Sequence, residues 1–352
     1  MNQKKAYITF VVPAYNVEST LSQTLDSLLE QSLIAHKIIL VNDGSTDNTE
    51  SICEQYYRDH SDIITYVKQE NKGLSGARNT GLNLVDTEYV SFLDSDDIQD
   101  RKVVELLDDY LSKLDVKPEI ILTLPTIYDM ATNRTVDWYD RQIFLDNLTE
   151  QRDKSIIKTF NARENPRIYS LEVNACRKIY SVEFLRKQNF TFPEGLKWED
   201  IPSHFALLHN ANNIGALETG FFYRISSGSQ ITTNGGKGRL DIIPIFNQLL
   251  DVILKDEWRP QETAYAVRLI VSYTKWFVDV TNIDYIDQLL EGLHHVYRRI
   301  PKGMYNNYLN TCSPHRRKEK VLYMILRSSF YGLYRDYRLK DSVKHIIDKI
   351  KR

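Results

Sequence analysis

The sequence of 352 residues predicts an α/β protein: an open, mostly parallel sheet with helices on both faces, followed by an all-helical region. Three observations support this. The strand-like segments of the first half are apolar and β-branched without alternation, as in strands covered on both faces. They alternate with segments whose apolar residues recur at helical spacing, which favours βαβ connections. After about residue 240, only helical periodicity remains.

The first hundred residues contain four predicted strands separated by three predicted helices. The helix after the first strand has Leu21, Leu25 and Leu28 on one face, with Asn16 as its candidate cap. Ser45 or Thr46 is expected to cap the second helix. The predicted strands are Tyr7–Val12, Lys37–Val41, Ile63–Lys68 and Tyr89–Leu93, and the second and third helices are Thr46–Arg58 and Gly76–Leu84.

The later elements of the α/β part are less regular. The polar segment 128–167 has no clean period and is predicted to be an insertion. Residues 226–238 contain four glycines in thirteen residues, which predicts a flexible lid loop. We therefore expect a catalytic domain at 1–238 and a helical domain at 239–352. The other predicted elements are helices Arg101–Leu114, Tyr180–Gln188 and Ile201–His209, and strands Ile120–Leu124, Ile214–Glu218 and Phe221–Ile225.

The composition excludes several classes of protein. Hydrophobic residues make up 42% and charged residues 26% of the chain, which is typical of a globular protein and not of a disordered one. The three cysteines, Cys53, Cys176 and Cys312, lie too far apart for a disulfide scaffold or a zinc knuckle and suit a reducing cytosol. No apolar run approaches the length of a membrane span. The prediction is a cytoplasmic protein, either soluble or peripheral at the inner face of the plasma membrane.

The charge distribution is asymmetric. Residues 298–352 carry 15 basic and 4 acidic side chains, whereas the preceding 297 residues carry 30 basic and 43 acidic ones. The basic tail includes Arg316–Lys320, and the acidic body makes nucleic acid a poor partner. Two interpretations of the tail stay open: an interfacial helix on an anionic membrane surface, or a helix packed in a bundle or at a homo-oligomer interface. Its apolar face would be Tyr323, Ile325, Leu326, Phe330, Leu333 and Tyr334.

Polar residues follow three of the predicted strands, at the edge where open α/β sheets bind ligands. They are Pro13–Asn16, Asn42–Asp47 and Asp94–Asp97. Each has a structural alternative, because turns and helix caps use the same residue types. The run Asp94–Asp97 holds three carboxylates in four residues, which repel one another unless a cation compensates them. Such oxygen ligands suit a hard divalent ion that also binds phosphate.

A glycine-rich segment, Asn71–Gly81, lies between these strand ends. Gly73 and Gly76 would let the backbone approach a ligand, and Arg78 would lie in the first turn of a short helix. The alternative is a helix entry with a surface arginine. The glycine spacing fits neither the dinucleotide-binding fingerprint nor the P-loop, which disfavours a Rossmann dehydrogenase or a P-loop kinase.

The segments VVPAYN, VNDGSTDNT, NKGLSGARNTGL and FLDSDD, in this order, resemble the inverting family-2 glycosyltransferases over roughly residues 6–232. The resemblance implies the A-type nucleotide-sugar transferase fold. It also implies a nucleotide-sugar donor, a divalent cation (Mn²⁺ or Mg²⁺), and an acceptor hydroxyl on a growing surface glycan carried by a lipid, a polymer or a protein. The commonest donors of the family are UDP-hexoses and UDP-N-acetylhexosamines.

The resemblance also implies roles for individual residues. Asp94 and Asp96 form the Asp-x-Asp motif, with Asp96 as the metal ligand and Asp94 against the ribose or the metal. Asp43 and the Pro13–Tyr15 turn would hold the nucleoside. The implied donor-binding residues are Pro13, Ala14, Tyr15, Asn16, Asp43, Asn71, Gly73, Arg78, Asp94, Ser95, Asp96, Arg224 and Ser229.

The resemblance continues at Asn174–Tyr180 and at Phe192–Asp200. By analogy with the Glu-Asp pair of the family, Asp200 is the expected catalytic base and Glu199 the next candidate. Asp200 could also serve as a helix N-cap, since it precedes Ile201-Pro202. Trp198 would either stack on an acceptor sugar or fill the core.

Two rival functions remain. A sugar nucleotidyltransferase shares the α/β half and the metal-binding acids, but it usually carries a basic glycine-rich loop where this chain has Pro13–Asn16. A non-catalytic carbohydrate-binding or scaffold protein would not need carboxylates at all three positions. Metal-dependent release of free nucleotide from a nucleotide sugar separates these possibilities.

Overall fold

The computed structural model describes residues 7–149, 152–153, 156–157, 159–225, 236–255, 257–312, 316–328 and 331–332. The chain forms two compact units, Met1–Gln230 and Ile231–Arg352. Most of the predicted lid loop, together with Ser229, lies outside the described residues.

The first unit is built on strands. In chain order they are β1 (Ile8–Ala14), β2 (His36–Asn42), β3 (Ile64–Lys68), β4 (Tyr89–Phe92), β5 (Ile98–Gln99), β6 (Ile120–Thr123), β7 (Thr126–Asp129), β8 (Arg134–Asp137), β9 (Arg152–Asp153), β10 (Ile156–Ile157), β11 (Lys178–Ser181), β12 (Ile214–Leu217) and β13 (Phe221–Ile225).

Seven of these strands form the main sheet, in the order β12-β6-β11-β4-β1-β2-β3. Every neighbouring pair is parallel except for β11, which runs antiparallel to both β4 and β6. All residues of β1 and β4 are buried. Because successive side chains of a strand point to opposite faces, this burial means that both faces of the central sheet are covered. The predicted mostly parallel α/β sheet is therefore confirmed.

The helices of the first unit follow the strands in alternation. Helix α3 packs against β1 and β2. The approach is close, since a Cβ added at Gly81 would lie 2.3 Å from Cγ1 of Val11. The helices are α1 (Leu21–Leu29), α2 (Thr49–Asp59), α3 (Gly73–Asn83), α4 (Val103–Ser112), α5 (Arg141–Thr149), α6 (Val182–Lys187) and α7 (Asp200–Asn210), with 3-10 helices at Pro166–Ser170 and Ala175–Arg177.

The predicted helix caps are wrong. Thr20, not Asn16, is the N-cap of α1, and Asn48, not Ser45 or Thr46, is the N-cap of α2. The side chains of Asn16 and Ser45 instead make hydrogen bonds between the loops that follow β1 and β2. A polar residue near a helix start has several backbone groups within reach, and the tertiary structure selects among them.

The strand β11 was not predicted. The expected helix Tyr180–Gln188 begins only at Val182, and Lys178–Ser181 is a strand inside the main sheet. Four residues are too few to show a period of two, so the sequence pattern carries no signal for this strand. The predicted insertion at 128–167 begins within β7 and includes β8 and helix α5. Strand β13 lies in a second sheet of order β5-β13-β7-β8.

The second unit is helical in the described residues, as the sequence predicts. The buried carboxylate of Glu319 accepts hydrogen bonds from Lys275, at 2.6 Å, and from Tyr308. In the part of the chain that the structure describes, no helix is both long and apolar enough to cross a membrane. The helices are α8 (Ile242–Lys255), α9 (Pro260–Val280), α10 (Ile283–Arg299), α11 (Lys302–Thr311) and α12 (Arg316–Arg327).

Helix α12 decides part of the question about the basic tail. Its apolar residues Tyr323, Ile325 and Leu326 are buried against the other helices of the second unit. For these residues the bundle interpretation holds, because buried side chains are not available to enter a membrane interface. Phe330, Leu333 and Tyr334 lie outside the described residues. Peripheral membrane attachment and self-association stay predictions.

Candidate active site

Three parallel neighbours of the main sheet, β1, β2 and β4, end at the same edge. Ala14 is in register with Asn42, and Val11 with Phe92. The loops after β1 and β2 are tied together, since the backbone N–H of Thr46 donates to Oδ1 of Asn16 at 2.8 Å. Asn16 adopts a left-handed backbone conformation with φ of +52°, which asparagine tolerates better than most residues. The predicted polar strand ends therefore do converge.

The carboxylate of Asp43 is buried at this edge. Its Oδ1 accepts hydrogen bonds from Nε2 of Gln69, at 2.6 Å, and from the backbone N–H of Lys72, at 2.9 Å. Both bonds go to Oδ1, so Oδ2 is the oxygen left for a ligand. The adjacent Gly44 has φ of +73°, and a Cβ there would lie 2.9 Å from the backbone nitrogen of Asn71. The turn after β2 is thereby fixed against the glycine-rich segment.

The other predicted donor-binding residues of these loops differ in exposure. Pro13 and Ala14 are buried at the end of β1, whereas Tyr15 is 48% exposed and free to meet a ligand. Asn71 is exposed, and its Oδ1 accepts from the backbone N–H of Gly73 at 3.1 Å. Gly73 starts α3 with φ of +74°.

Arg78 is the centre of a network of carboxylates. Its side chain is 1% exposed and donates through Nη1 to Oε1 of Glu199, at 2.8 Å, and to Oδ1 of Asp200, at 3.2 Å. Through Nη2 it donates to Oδ1 of Asp94 at 2.9 Å. The guanidinium lies 5.3 Å from the ring centroid of Phe192. One buried cation therefore connects the end of β4 with the start of α7, a link that the sequence did not indicate.

The carboxylates of Glu199 and Asp200 are held at the start of α7. Burial, with a smaller contribution from Asp200, raises the pKa of Glu199 to about 7. Burial also raises the pKa of Asp200, while Arg78, Lys178 and the N–H of Ala175 act in the opposite direction. The protonation of the two carboxyl groups therefore belongs to the pair, and both pKa values are shifted in the direction that suits a general base.

The alternative role of Asp200 as a helix N-cap is not what the structure has. Glu199 occupies the N-cap position, and Asp200 is the first residue of α7. Oδ2 of Asp200 accepts from the backbone N–H of Ala175 at 3.2 Å, a residue of another segment. The positive end of the helix dipole favours the ionised carboxylate at this position.

Trp198 precedes the pair in a left-handed conformation with φ of +62°. Such a backbone is unusual for a bulky side chain and costs on the order of 1–3 kcal/mol. The indole is half-buried. The strain occurs directly before the two carboxylates, at the point where the chain turns them toward Arg78.

The run Asp94–Asp97 is compensated in part by arginines. Asp94 pairs with Arg78 and its side chain is 26% exposed, whereas Asp97 is fully buried. Oδ1 of Asp97 accepts from the backbone N–H of Arg224 at 3.0 Å. Nε of Arg224 donates to the carbonyl of Asp96, and the carbonyl of Ser95 accepts from the Thr24 hydroxyl at 2.9 Å. The loop is thus braced from behind.

Arg224 itself is 1% exposed, and its terminal nitrogens also bond to the protein. Nη1 donates to Oε1 of Gln23 at 2.6 Å, and Nη2 donates to the hydroxyl of Thr24 at 3.1 Å. In the structure Arg224 therefore bonds to the Asp94–Asp97 loop and to the start of α1. Its role in donor binding, which the resemblance implies, stays a prediction.

The residues at the end of β4 fit a divalent cation. Asp94 and the half-buried Asp96 provide carboxylate oxygens, the ligand type that Mg²⁺ and Mn²⁺ prefer. In the described part of the chain, no group of three His, Cys, Asp or Glu side chains could hold a metal. This donor set matches a cation that is completed by phosphate oxygens and water rather than by a protein cage.

Sequence reasoning missed the supporting residues of this site, among them Gln69 on Asp43, Thr24 on the Asp94–Asp97 loop, and Lys178 near Asp200. None of these residues belongs to a sequence motif whose chemistry would have predicted a functional role. For Lys178, one signal was present: a lysine stands directly before the apolar residues of a buried segment.

The converging loops, the acidic strand end and the Glu199–Asp200 pair are arranged as the predicted A-type fold implies. Residues 9–170 match the model of the family "Glycosyl transferase family 2". This match confirms the predicted resemblance for a segment that is a little under half of the chain.

Two named relatives are similar to part of the chain. Glycosyltransferase GlyA of Streptococcus pneumoniae is 50% identical over 101 residues, which are 28% of this chain and 14% of GlyA. The minor teichoic acid biosynthesis protein GgaB of Bacillus subtilis is 36% identical over 124 residues, which are 33% of this chain and 14% of GgaB. The match therefore spans only about one seventh of the length of either relative.

A solved structure extends the likeness in fold. TarS 1–349 of S. aureus, in complex with UDP-GlcNAc, superposes with a TM-score of 0.74 at 18% identity, covering 94% of this chain and 89% of that one. At this identity the likeness concerns the fold alone. It includes the A-type sheet and reaches beyond the segment of residues 9–170 that the family model matches.

Proposed function

We propose that this protein is a metal-dependent inverting glycosyltransferase that moves a sugar from a nucleotide sugar to a hydroxyl group of an acceptor glycan. The observation that carries the proposal is the Arg78 network. A single buried guanidinium binds Asp94, at the predicted donor-binding edge, and also the Glu199–Asp200 pair. Groups suited to a nucleotide diphosphate and a group suited to proton abstraction therefore lie around one residue.

The donor is proposed to be a UDP-hexose or a UDP-N-acetylhexosamine. The match of residues 9–170 to the glycosyltransferase family model supports a nucleotide sugar, and TarS, which shares the fold, has been solved in complex with UDP-GlcNAc. The site offers Oδ2 of Asp43 as an acceptor for hydroxyl or base N–H groups, and the exposed ring of Tyr15 as a stacking surface. Asn71 and Gly73 line the same turn.

The proposed reaction is a single displacement. Asp200 takes the proton of the acceptor hydroxyl as that oxygen attacks the anomeric carbon. The bond between this carbon and the diphosphate oxygen breaks, and its electron pair leaves with the nucleoside diphosphate. One base without an enzyme nucleophile gives inversion at the anomeric carbon. Arg78 keeps the carboxylates of Glu199 and Asp200 at a fixed separation while Asp200 gains the proton.

A divalent cation, Mn²⁺ or Mg²⁺, is proposed at Asp96 with Asp94 beside it. When bound, it would neutralise negative charge on the leaving diphosphate. The protein prepares this place by bracing the Asp94–Asp97 loop through Arg224 and Thr24.

The proposed acceptor is a growing surface glycan on a lipid carrier, a polymer or a protein. The support is that the relative GgaB is named as a minor teichoic acid biosynthesis protein. Trp198 is a candidate to meet the acceptor sugar, since its half-buried ring adjoins the proposed base.

The function is tested by incubating the chain with a panel of UDP-, GDP- and dTDP-sugars and Mn²⁺, and following release of free nucleoside diphosphate. We expect slow hydrolysis of one or two UDP-sugars, abolished by EDTA and restored by Mn²⁺. Release of pyrophosphate from a nucleoside triphosphate and a sugar phosphate, with no release from any nucleotide sugar, would instead identify a nucleotidyltransferase.

Replacing Asp96 by alanine should remove both the metal dependence and the affinity for the donor. The carboxylate is the proposed cation ligand, and the cation in turn helps to bind the diphosphate. Titration of UDP with and without Mn²⁺ measures this: Mn²⁺ should strengthen UDP binding to the wild type and leave Asp96→Ala unaffected. The exposed Asp62→Asn variant serves as the control. If Asp96→Ala keeps Mn²⁺-dependent turnover, the metal assignment is wrong.

A further inference from the structure

A buried lysine is linked to the proposed catalytic base through one loop and has no part in the mechanism so far. Lys178 is 1% exposed and is the first residue of β11. Its Nζ donates to the carbonyl of Val173 at 3.0 Å and to the carbonyl of Asn174 at 2.8 Å. A lysine is rarely buried in this way unless its charge is paired and its N–H donors are hydrogen-bonded.

The two carbonyls belong to the loop that contacts Asp200. The next residue, Ala175, donates its backbone N–H to Oδ2 of Asp200 at 3.2 Å. The side chain of Asn174 also accepts from the backbone N–H of Cys176 at 2.6 Å, which closes the turn. Lys178 therefore holds the carbonyls of this loop on one side, while the loop presents an N–H to the carboxylate on the other.

The far end of the loop is fixed independently. The backbone N–H of Glu172 donates to Oδ2 of Asp140 at 2.8 Å, and the same oxygen accepts from Nη1 of Arg177 at 2.5 Å. Because the loop is anchored at Glu172 by Asp140, Lys178 acts on its central residues, the ones adjacent to Asp200.

We propose that Lys178 is a positioning residue for the base: it fixes the Val173–Ala175 loop so that the N–H of Ala175 holds Asp200, and its charge favours the ionised carboxylate. This inference rests on the proposed function, in which Asp200 is the base. It assigns a role to the lysine within Asn174–Tyr180, a segment whose contribution the sequence left unspecified.

The charges around Lys178 agree with this role. Burial, together with Arg177, lowers the pKa of Lys178 to about 7, whereas Asp200, Glu172 and Cys176 act to raise it. Burial lowers the pKa of His204 well below its usual value, and the charges of Lys178 and Arg177 act in the same direction. The charged lysine and the ionised Asp200 thus stabilise each other, and losing the lysine charge must raise the pKa of Asp200.

The test compares pH profiles of UDP release from the best UDP-sugar of the panel. In the wild type the rate should rise with pH as the interacting groups Glu199, Asp200 and Lys178 lose protons, so the position of this rising limb depends on all three. In Lys178→Met we expect kcat to fall by about tenfold and the rising limb to move up by about one pH unit, with the donor KM within about twofold of wild type. Uniform weakening of the fold would not move the limb.

The matched control is Leu122→Ala. Leu122 is buried and lies directly opposite Lys178 on the neighbouring strand β6, so this change disturbs the same part of the sheet without altering charge. It should lower the unfolding temperature and leave the pH limb where it is. If Lys178→Met is recovered only unfolded, Lys178→Gln replaces it, because the amide can still donate to the two carbonyls but carries no charge.

A limb that stays at its wild-type position in Lys178→Met, or in Lys178→Gln, overturns the inference, whatever happens to kcat. The Asp200→Asn variant separates this failure from a failure of the proposed function. If Asp200→Asn releases UDP at the wild-type rate, the assignment of the base is wrong; if it is inactive and the limb is unmoved by the lysine change, only the role of Lys178 is rejected.

Discussion

Replacing Asp200 by asparagine is expected to reduce the release of UDP from the preferred UDP-sugar by about 10²–10⁴-fold. The amide has nearly the shape of the carboxylate and keeps an oxygen for the N–H of Ala175, but it cannot take a proton from the attacking hydroxyl. Affinity for UDP should stay within about twofold of wild type, because the proposed contacts to the nucleotide do not include the Asp200 carboxylate. Calorimetric titration of UDP in the presence of Mn²⁺ measures this second quantity.

Glu199→Gln is the informative companion to this variant. Glu199 shares Nη1 of Arg78 with Asp200, is more deeply buried, and has the pKa raised to about 7. If Asp200 is the base, Glu199→Gln should be impaired less than Asp200→Asn. A larger loss in Glu199→Gln would transfer the role to Glu199, and wild-type turnover in both variants would leave the pair without a catalytic function.

Arg78→Met should have the second large effect, on stability as well as on activity. The change leaves three carboxylates around a buried site without their common counter-ion, and breaking a buried charge network in this way typically costs about 3–5 kcal/mol. Urea unfolding followed by tryptophan fluorescence, at pH 5 and at pH 8, measures the loss. UDP release should fall below detection, because Asp200 loses the group that orients it.

The pH dependence of the loss in unfolding free energy identifies the cause of that loss. In Arg78→Met the pKa values of Glu199 and Asp200 must rise further in the folded state, since burial already raises both and Arg78 opposes this. A carboxyl group whose folded-state pKa lies above the unfolded value destabilises the fold as pH rises. The difference from wild type should therefore be smaller at pH 5 than at pH 8. Arg58→Met, on the exposed face of α2, is the control; an equal loss at both pH values would contradict the electrostatic explanation.

The sequence alone determined the class of the fold. Strands β1, β2 and β4 were predicted within one or two residues, because strands buried on both faces must be continuously apolar whatever surrounds them. The helices of the second unit were predicted for a similar reason, since amphipathic periodicity persists over many turns. The candidate residues Asp43, Asp94 and Asp96 were also found in the sequence, because they follow predicted strands, whereas Asp200 was found only through the resemblance to a family.

The tertiary structure decided how these residues work together. Arg78 is separated from Asp200 by 122 positions in the chain, and no local pattern predicts that its guanidinium joins Asp94 to the Glu199–Asp200 pair. The strand β11, which carries Lys178 beside Asp200, is too short for its period to be visible. The spacing of apolar residues predicts strands and helices because it reflects which side chains of a single element are buried. The sharing of buried charges depends on which segments the fold brings together, and only the assembled sheet specifies that.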